Sequence, residues 1–395
     1  MSLFIQIAIV FLSLAIAGFL AKILKSFNPP FYIVTGILLG PVVFGLVKNQ
    51  EVISLLGDIG LVFLLFYLGY EFSLNKLVKQ KKVLGIAGLI DFLINFSIAF
   101  LLGLLLDLSM FYVIVFAGII YMSSSSIITK SLIQLDAVKE KEGKIVMGIM
   151  IFEDLVMIVF LVLIQSIVNN EGFQLLSISK DIALAGLFAL IVLYFGRKYS
   201  GIIDKIIGQS SHELAHFGFI AFVLIGVVIG GLFGVSKALS AFLLGLIVSE
   251  TKNKRKMEEV IFKFRDIFGG IFFFYFGMTF TFSSITIPIY ILIIIGLVAI
   301  FGKLISGYLM QVISGCDLDG GLFIGIVTIP RGEFSLIIAG IVAASEPQFA
   351  NLAVIIILVT SFVTTIIFFL LNKLCKEREV CVLSNRFLAE KNEEV

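Results

Sequence analysis

The sequence predicts an all-α membrane protein of about thirteen transmembrane helices arranged as inverted repeats. Three observations lead there: the apolar composition, the spacing of the apolar stretches, and a repeat whose copies face opposite ways. Of 395 residues, 60% are hydrophobic and 14% charged, with a mean hydropathy of +1.15. A soluble domain runs at about 25% charged residues, so the chain belongs in a lipid bilayer.

A span needs roughly 20 apolar residues. Such stretches fall at 3–24, 31–46, 53–72, 83–106, 111–134, 146–168, 179–196, 214–233, 236–250, 263–282, 286–311, 320–344 and 349–372. The second and ninth are short. Only the Gly-rich break Gly230-Gly231-Leu232-Phe233-Gly234 divides the eighth from the ninth, so a count of twelve also fits. The first stretch lacks a basic leader and a small-residue cleavage site, and it reads as a retained span.

Charge placement orients the chain. With thirteen alternating spans, most of the 29 lysines and arginines fall in loops after odd-numbered spans or in the C-terminal tail. Lys76, Lys79, Lys81 and Lys82 form one cluster, and Lys252, Lys254, Arg255 and Lys256 another. Positive charge collects on the cytoplasmic side. The N-terminus is therefore expected outside the cell membrane and the C-terminus in the cytoplasm, with residues 1–374 as the transmembrane domain and 375–395 as a short tail. The 252–256 cluster reads as a topogenic loop, and no nucleic-acid partner is expected. Cys316, Cys375 and Cys381 lack metal-like spacing and are expected as free thiols.

The chain repeats itself. GDIGLVFLLFYLGYEF at 57–72 aligns without a gap on RDIFGGIFFFYFGMTF at 265–280, an offset of 208. A short span precedes each copy, and its LLG segment ends at Gly40 in the first and at Gly245 in the second. The same offset carries Ser123–Ser126 onto Arg331–Phe334. The copies lie in the third and tenth spans, seven places apart, an odd number, so they are inverted, and secondary transporters place their site between such copies.

Polar groups interrupt four of the apolar spans. A carboxylate at the bilayer centre costs at least about 2.5 kcal/mol, which makes Glu153 and Asp154, inside MGIMIFEDLVMIVFLVLIQSI, functional candidates. Adjacent helical residues point about 100° apart. One acid should therefore face a fixed counter-charge and the other the solvent path. Ser123, Ser124, Ser125 and Ser126 run together in the fifth span. Serine competes for backbone groups, and four in a row read as a helix break that offers hydroxyls and carbonyls to an ion, with Ser124 and Ser125 as ion contacts. Lys303 lies inside the eleventh span, as a titratable switch or a permanent structural cation. In the twelfth, Pro330 removes a donor and disfavours helix at Ile329. A second break is expected there, with Arg331 and Glu333 paired with each other or with nearby acids. Half-helices meeting at such breaks present like dipole ends, which side chains or a bound ion neutralise. A carboxylate there binds a monovalent cation or protons, and competition between the two suffices for antiport. An intramembrane enzyme is not expected: His212 and His216 are the only histidines, and there is no HExxH and no nucleophile–base pair.

These stretches resemble the monovalent cation:proton antiporter-2 family, the sodium/proton antiporters and the related potassium efflux proteins. GILLGPVVFGL, LGDIGLVFLLFYLGYEFSLNKL, MSSSSIITKSL, FEDLVMIV, GVSKALSAFLLGLIVSE, FFFYFGMTF and IPRGEFSLIIAGIVA match in family order and cover nearly the whole chain. The resemblance implies thirteen spans, a dimerisation domain that makes a homodimer, and a core domain with two crossed, discontinuous helices that moves as an elevator. It implies that Asp154 binds the cation, sodium or lithium, and the proton in turn. In the sodium/proton branch the preceding acid, here Glu153, is paired with a lysine that matches Lys303, and the resemblance implies that no cofactor is needed. The sodium/proton branch usually shows two aspartates where this chain has Glu-Asp. The potassium branch usually shows Gln-Asp and ends in a nucleotide-binding regulatory domain. Here the tail after the last span is short, so such regulation is expected to be absent or to come from another chain. A potassium/proton antiporter or potassium efflux system is the alternative. Two protons per cation would move if Glu153 and Lys303 exchange a proton, and one if they stay locked.

Overall fold

The computed structural model describes residues 2–24, 26–71, 74–169, 212–249, 254–282 and 287–378, together with 172, 174, 176–184, 186–188, 190, 191, 194 and 198; residues 74–84, 134, 212–215, 254–257, 314 and 371–378 are described by backbone alone. The long helices are α1 (Leu3–Ile23), α2 (Asn28–Leu39), α3 (Gln50–Glu71), α4 (Leu74–Leu105), α5 (Met110–Tyr121), α6 (Ser125–Gln134) and α7 (Lys141–Asn169). After them come α8 (His212–Leu232), α9 (Lys237–Ser249), α10 (Lys254–Thr279), α11 (Ile289–Ser314), α12 (Leu318–Thr328), α13 (Glu333–Val342) and α14 (Pro347–Arg378). No strand occurs among the described residues.

Each apolar stretch read from the sequence falls on a described helix, or in the fifth and twelfth on an interrupted pair, except 179–196, which is described continuously only to 184. The second and ninth stretches are short, as expected: α2 has 12 residues and α9 has 13. Among the described residues, seven stretches are long and apolar enough to cross a bilayer, the broken α5–α6 stretch Met110–Ile133 being one of them, and eight if the bent pair α12–α13 counts as one more. The Lys252 end of the basic cluster and the tail beyond 378, with Cys381, lie outside the described residues.

The chain divides into two compact units. Unit 1 takes in Met1–Ala17, Tyr32–Lys79 and Ile158–Thr279, and unit 2 takes in Gly18–Phe31, Gln80–Met157 and Phe280–Val395.

Unit 1 is built on close helix contacts. In lipid there is little hydrophobic gain from helix association, so small residues that let backbones approach do the work. Gly69 on α3 presses its bare Cα on the backbone carbonyl of Phe242 on α9. Gly277 on α10 does the same to Ile33 on α2. A Cβ at either glycine would overlap main chain. The two glycines are equivalent under the offset of 208, so the repeat recurs in space: the long helix of each copy packs on the short LLG helix of the other. Phenylalanines fill the rest, with Phe63 stacked on Phe264 and Phe268 at 5.4 and 5.6 Å between ring centroids. Between α8 and α9 the Gly-rich break turns at Gly234, whose φ of +75° suits glycine.

Unit 2 has an apolar core contributed by α6, α7, α11 and α12, including Ile128, Leu132, Val146, Ile149, Met310, Ile324 and Val327. Asp317 caps the start of α12 by accepting from the Gly320 N–H at 2.9 Å. This core carries the two interrupted helices, α5–α6 and α12–α13, the second bent by 43°.

Candidate ion-exchange site

The serine run breaks its helix as the sequence suggests. α5 ends at Tyr121, Met122–Ser124 leave the helical path, and α6 restarts at Ser125, with Ser124 as its N-cap accepting from the Ile127 N–H. The second break lies between Thr328, the last residue of α12, and Glu333, the first of α13. Ile329 was expected to leave the helical region ahead of Pro330, but it keeps φ −58° and ψ −45°. The interruption begins at Pro330 itself, which has no N–H to give. Its carbonyl accepts from the Ser124 N–H at 2.8 Å, so the two breaks are bonded to each other through main chain. Gly332 lies against Ser124, and a Cβ there would meet the serine side chain.

Helix ends decide where the charges go. α5 and α12 bring their carbonyl ends to the crossing, and α6 and α13 their amide ends. Arg331, fully buried, donates from Nε to Ile120 O at 2.6 Å, from one terminal nitrogen to Thr328 O and Ile329 O, and from the other to Ala299 O at 2.9 Å. One guanidinium thus caps both negative ends, which favours a cation there. Ser335 assists by donating to Ile119 O at 2.8 Å. Glu333, the first residue of α13, accepts from Ser124 Oγ at 2.9 Å and Ser126 Oγ at 3.3 Å, placing an acid at the positive ends. The expected pairing of Arg331 with Glu333 or another acid is therefore corrected. Although only two residues apart, they straddle the start of α13 and serve dipole ends of opposite sign.

The adjacent acids of α7 diverge, as their spacing requires. Glu153 is 1% exposed and Asp154 is 7% exposed. Glu153 accepts from Lys303 Nζ at 2.6 Å and from the Ser123 N–H at 2.7 Å. The Ser123 hydroxyl lies between Glu153 Oε1, at 2.9 Å, and Thr328 O, at 3.0 Å. Asp154 accepts from Ser125 Oγ at 3.3 Å. Of the predicted ion contacts, Ser125 is thus beside Asp154, while the Ser124 hydroxyl is engaged by Glu333 and Ser126. All ten predicted residues, Ser123 to Ser126, Glu153, Asp154, Lys303, Pro330, Arg331 and Glu333, fall within unit 2.

Sequence reasoning missed a second partner for Lys303. Asp91 on α4, fully buried, accepts from Nζ at 2.7 Å. It also accepts from Ser306 Oγ at 2.8 Å and Asn95 Nδ2 at 2.9 Å. The signal was present: an acid in the middle of the fourth apolar stretch, with an amide one turn further along the same face. Thr360 was also missed. Its hydroxyl receives the Arg331 N–H at 3.0 Å, and nothing in its local sequence marks it.

A membrane bundle in which two interrupted helices meet at their breaks, beside buried acids and a buried lysine, has the architecture of a secondary transporter. The chain belongs to the sodium/hydrogen exchanger family: the model described as "Sodium/hydrogen exchanger, transmembrane" matches residues 9–373. It is thereby a multi-pass membrane protein of the monovalent cation:proton antiporters. The K(+)/H(+) antiporter subunit KhtU of Bacillus subtilis is 32% identical over 92% of this chain and 93% of its own. The ammonium/H(+) antiporter subunit AmhT of Alkalihalophilus pseudofirmus is 30% identical over 88% of each. The structure of the sodium proton antiporter MjNhaP1 from Methanocaldococcus jannaschii superimposes with a TM-score of 0.69 over 93% of this chain and 96% of that one. At 18% identity, that likeness speaks for the fold alone.

Proposed function

We propose that this antiporter exchanges sodium or lithium for protons at Asp154. The observation that carries the reading is the division between the two acids. Glu153 is engaged by a lysine, while its neighbour Asp154 stands beside a hydroxyl at the start of a half-helix. One carboxylate neutralises one monovalent cation or one proton, so each occupant displaces the other. Ser125 and Ser124 offer oxygens to a dehydrated ion. Ser123, Ser126, Pro330, Arg331 and Glu333 hold the crossing in shape. Thirteen crossings, an external N-terminus, a cytoplasmic C-terminus and a homodimer complete the picture, with unit 2 as the moving elevator and unit 1 as the dimerisation domain. The concentration of buried charge in unit 2 supports that division.

Sodium is favoured by the Glu153–Lys303 pair, the mark of the sodium/proton branch in the family resemblance. Potassium or ammonium is the second reading, favoured by the names of the relatives at 32% and 30% identity. Both are named as subunits, which supports a separate regulatory chain here as well.

The test is proton movement in proteoliposomes under an imposed pH gradient, adding sodium, lithium, potassium and ammonium in turn. A response to sodium and lithium is expected. A response to potassium or ammonium alone selects the second reading, and silence to all four overturns exchange.

A further inference from the structure

Lys303 faces two carboxylates, and exchange at Asp154 accounts for neither a second acid nor its supports. Asp91 and Glu153 approach Nζ at 2.7 and 2.6 Å, and all three side chains are buried. The Asp91 contact is held from both helices. Ser306, less than one turn beyond Lys303 on α11, donates to Asp91 Oδ1. Asn95, one turn beyond Asp91 on α4, donates to the same oxygen and to the Asp91 carbonyl. The ring of Tyr121 covers the ammonium, with its centroid 5.2 Å from Nζ. Among the described residues, the other charged groups around this cluster are Asp154, next to Glu153 in the chain, and Arg331, whose guanidinium is taken up by carbonyls of Ile120, Ala299, Thr328 and Ile329.

The number of carboxylates decides what the lysine can do. An ammonium facing a single carboxylate can hand it a proton. Both groups become neutral and no charge is stranded. An ammonium between two carboxylates cannot do this cleanly. The transfer neutralises one acid and leaves the other charged, buried and without its cation, the situation that makes broken buried ion pairs so costly.

We propose that Asp91 is a positioning residue that pins Lys303 as a permanent cation, so that exchange at Asp154 moves one proton per monovalent cation. Lys303 keeps its proton throughout. One cation leaves as one proton enters, and unit 2 carries the same net charge in both loaded states. This inference rests on the exchange reading above and settles between the two stoichiometries that the Glu153–Lys303 pair by itself leaves open.

The experiment is the halting point of exchange. In proteoliposomes, a fixed proton gradient is opposed by increasing gradients of the transported cation until proton movement stops, with the membrane potential set by a lipophilic ion. One-for-one exchange halts when the two gradients are equal, at every potential. Wild-type protein is expected to behave so. Asp91→Asn leaves Lys303 with Glu153 alone and is expected to make the halting point depend on potential, and Asp91→Glu to restore independence. The halting point is an equilibrium quantity. A merely structural loss lowers the rate without moving it. A potential-dependent halting point in wild type overturns the inference, and this measurement decides even if Asp91→Asn fails to fold. An Asp91→Asn protein that exchanges with the wild-type halting point overturns the role of Asp91. Wild-type protein that exchanges nothing sinks the exchange reading itself, and this inference with it.

Discussion

The two units bury different things. Among the described residues, every buried charged side chain, Asp91, Glu142, Glu153, Asp154, Lys303, Arg331 and Glu333, belongs to unit 2. Unit 1 relies on glycines pressed against main chain and on stacked phenylalanines. Both solve the same difficulty, holding helices together where lipid is as apolar as the side chains. Close packing solves it without charge. Unit 2 keeps charges that close packing does not need, and Asp91, Glu153 and Arg331 are each held by several hydrogen bonds. That expense is reasonable only where charge has a task, since an intramembrane ionisable group is costly by default.

The contrast can be broken by substitution. The largest effect is expected from Asp154→Asn, which keeps the size of the side chain and removes its charge. Exchange in proteoliposomes should be lost while the protein remains folded in detergent; activity like wild type would place the carrier elsewhere. Lys303→Ala comes next. It strands Asp91 and Glu153 together, and breaking a buried pair costs about 3–5 kcal/mol. Thermal unfolding should show a lower Tm, and an unchanged Tm would mean that the ion pairs do not form in the membrane protein.

Two glycine substitutions sharpen the comparison at a smaller scale. Overpacking costs about 1–3 kcal/mol. Gly69→Ala in unit 1 meets the carbonyl of Phe242 and should lower Tm while leaving the cation dependence of exchange alone. Gly332→Ala in unit 2 meets Ser124, the residue that bonds both to Pro330 and to Glu333, and should alter the cation dependence as well. Equal behaviour of the two would erase the distinction between packing unit and site unit. The smallest effect is expected from Lys237→Ala, whose 2.9 Å pair with Asp58 is exposed. Such surface pairs contribute under about 1 kcal/mol, and a larger loss of stability in unfolding experiments would show that this pair is sheltered in the membrane protein.

Much of the candidate site is legible in the sequence. Glu153, Asp154 and Lys303 were visible because an ionisable residue stands out in twenty apolar neighbours. The two breaks were visible because four serines, and a proline, conflict with helix. The reciprocal packing of Gly69 and Gly277 was latent in the repeat. Asp91 carried the same signal as Glu153 but not its neighbour's emphasis, a second acid beside it. Its role depends on Lys303, 212 residues further along the chain. Arg331 and Glu333 misled for the opposite reason. Proximity in sequence suggested a pair, whereas the turn between them sends one to the carbonyl ends and the other to the amide ends of the crossing helices.

The sequence by itself determined the solvent of this protein, its helical character, the place of its breaks and most of the charges that gather at them. These follow from local chemistry: apolar runs need lipid, proline and clustered serine interrupt hydrogen bonding, and an ion in a span needs a reason. Tertiary structure alone decided which charge meets which. Partnership is set by distances of a few ångströms between residues far apart in the chain, and by which helix ends converge. That is why Lys303 has two acids rather than one, and why Arg331 answers carbonyls rather than Glu333.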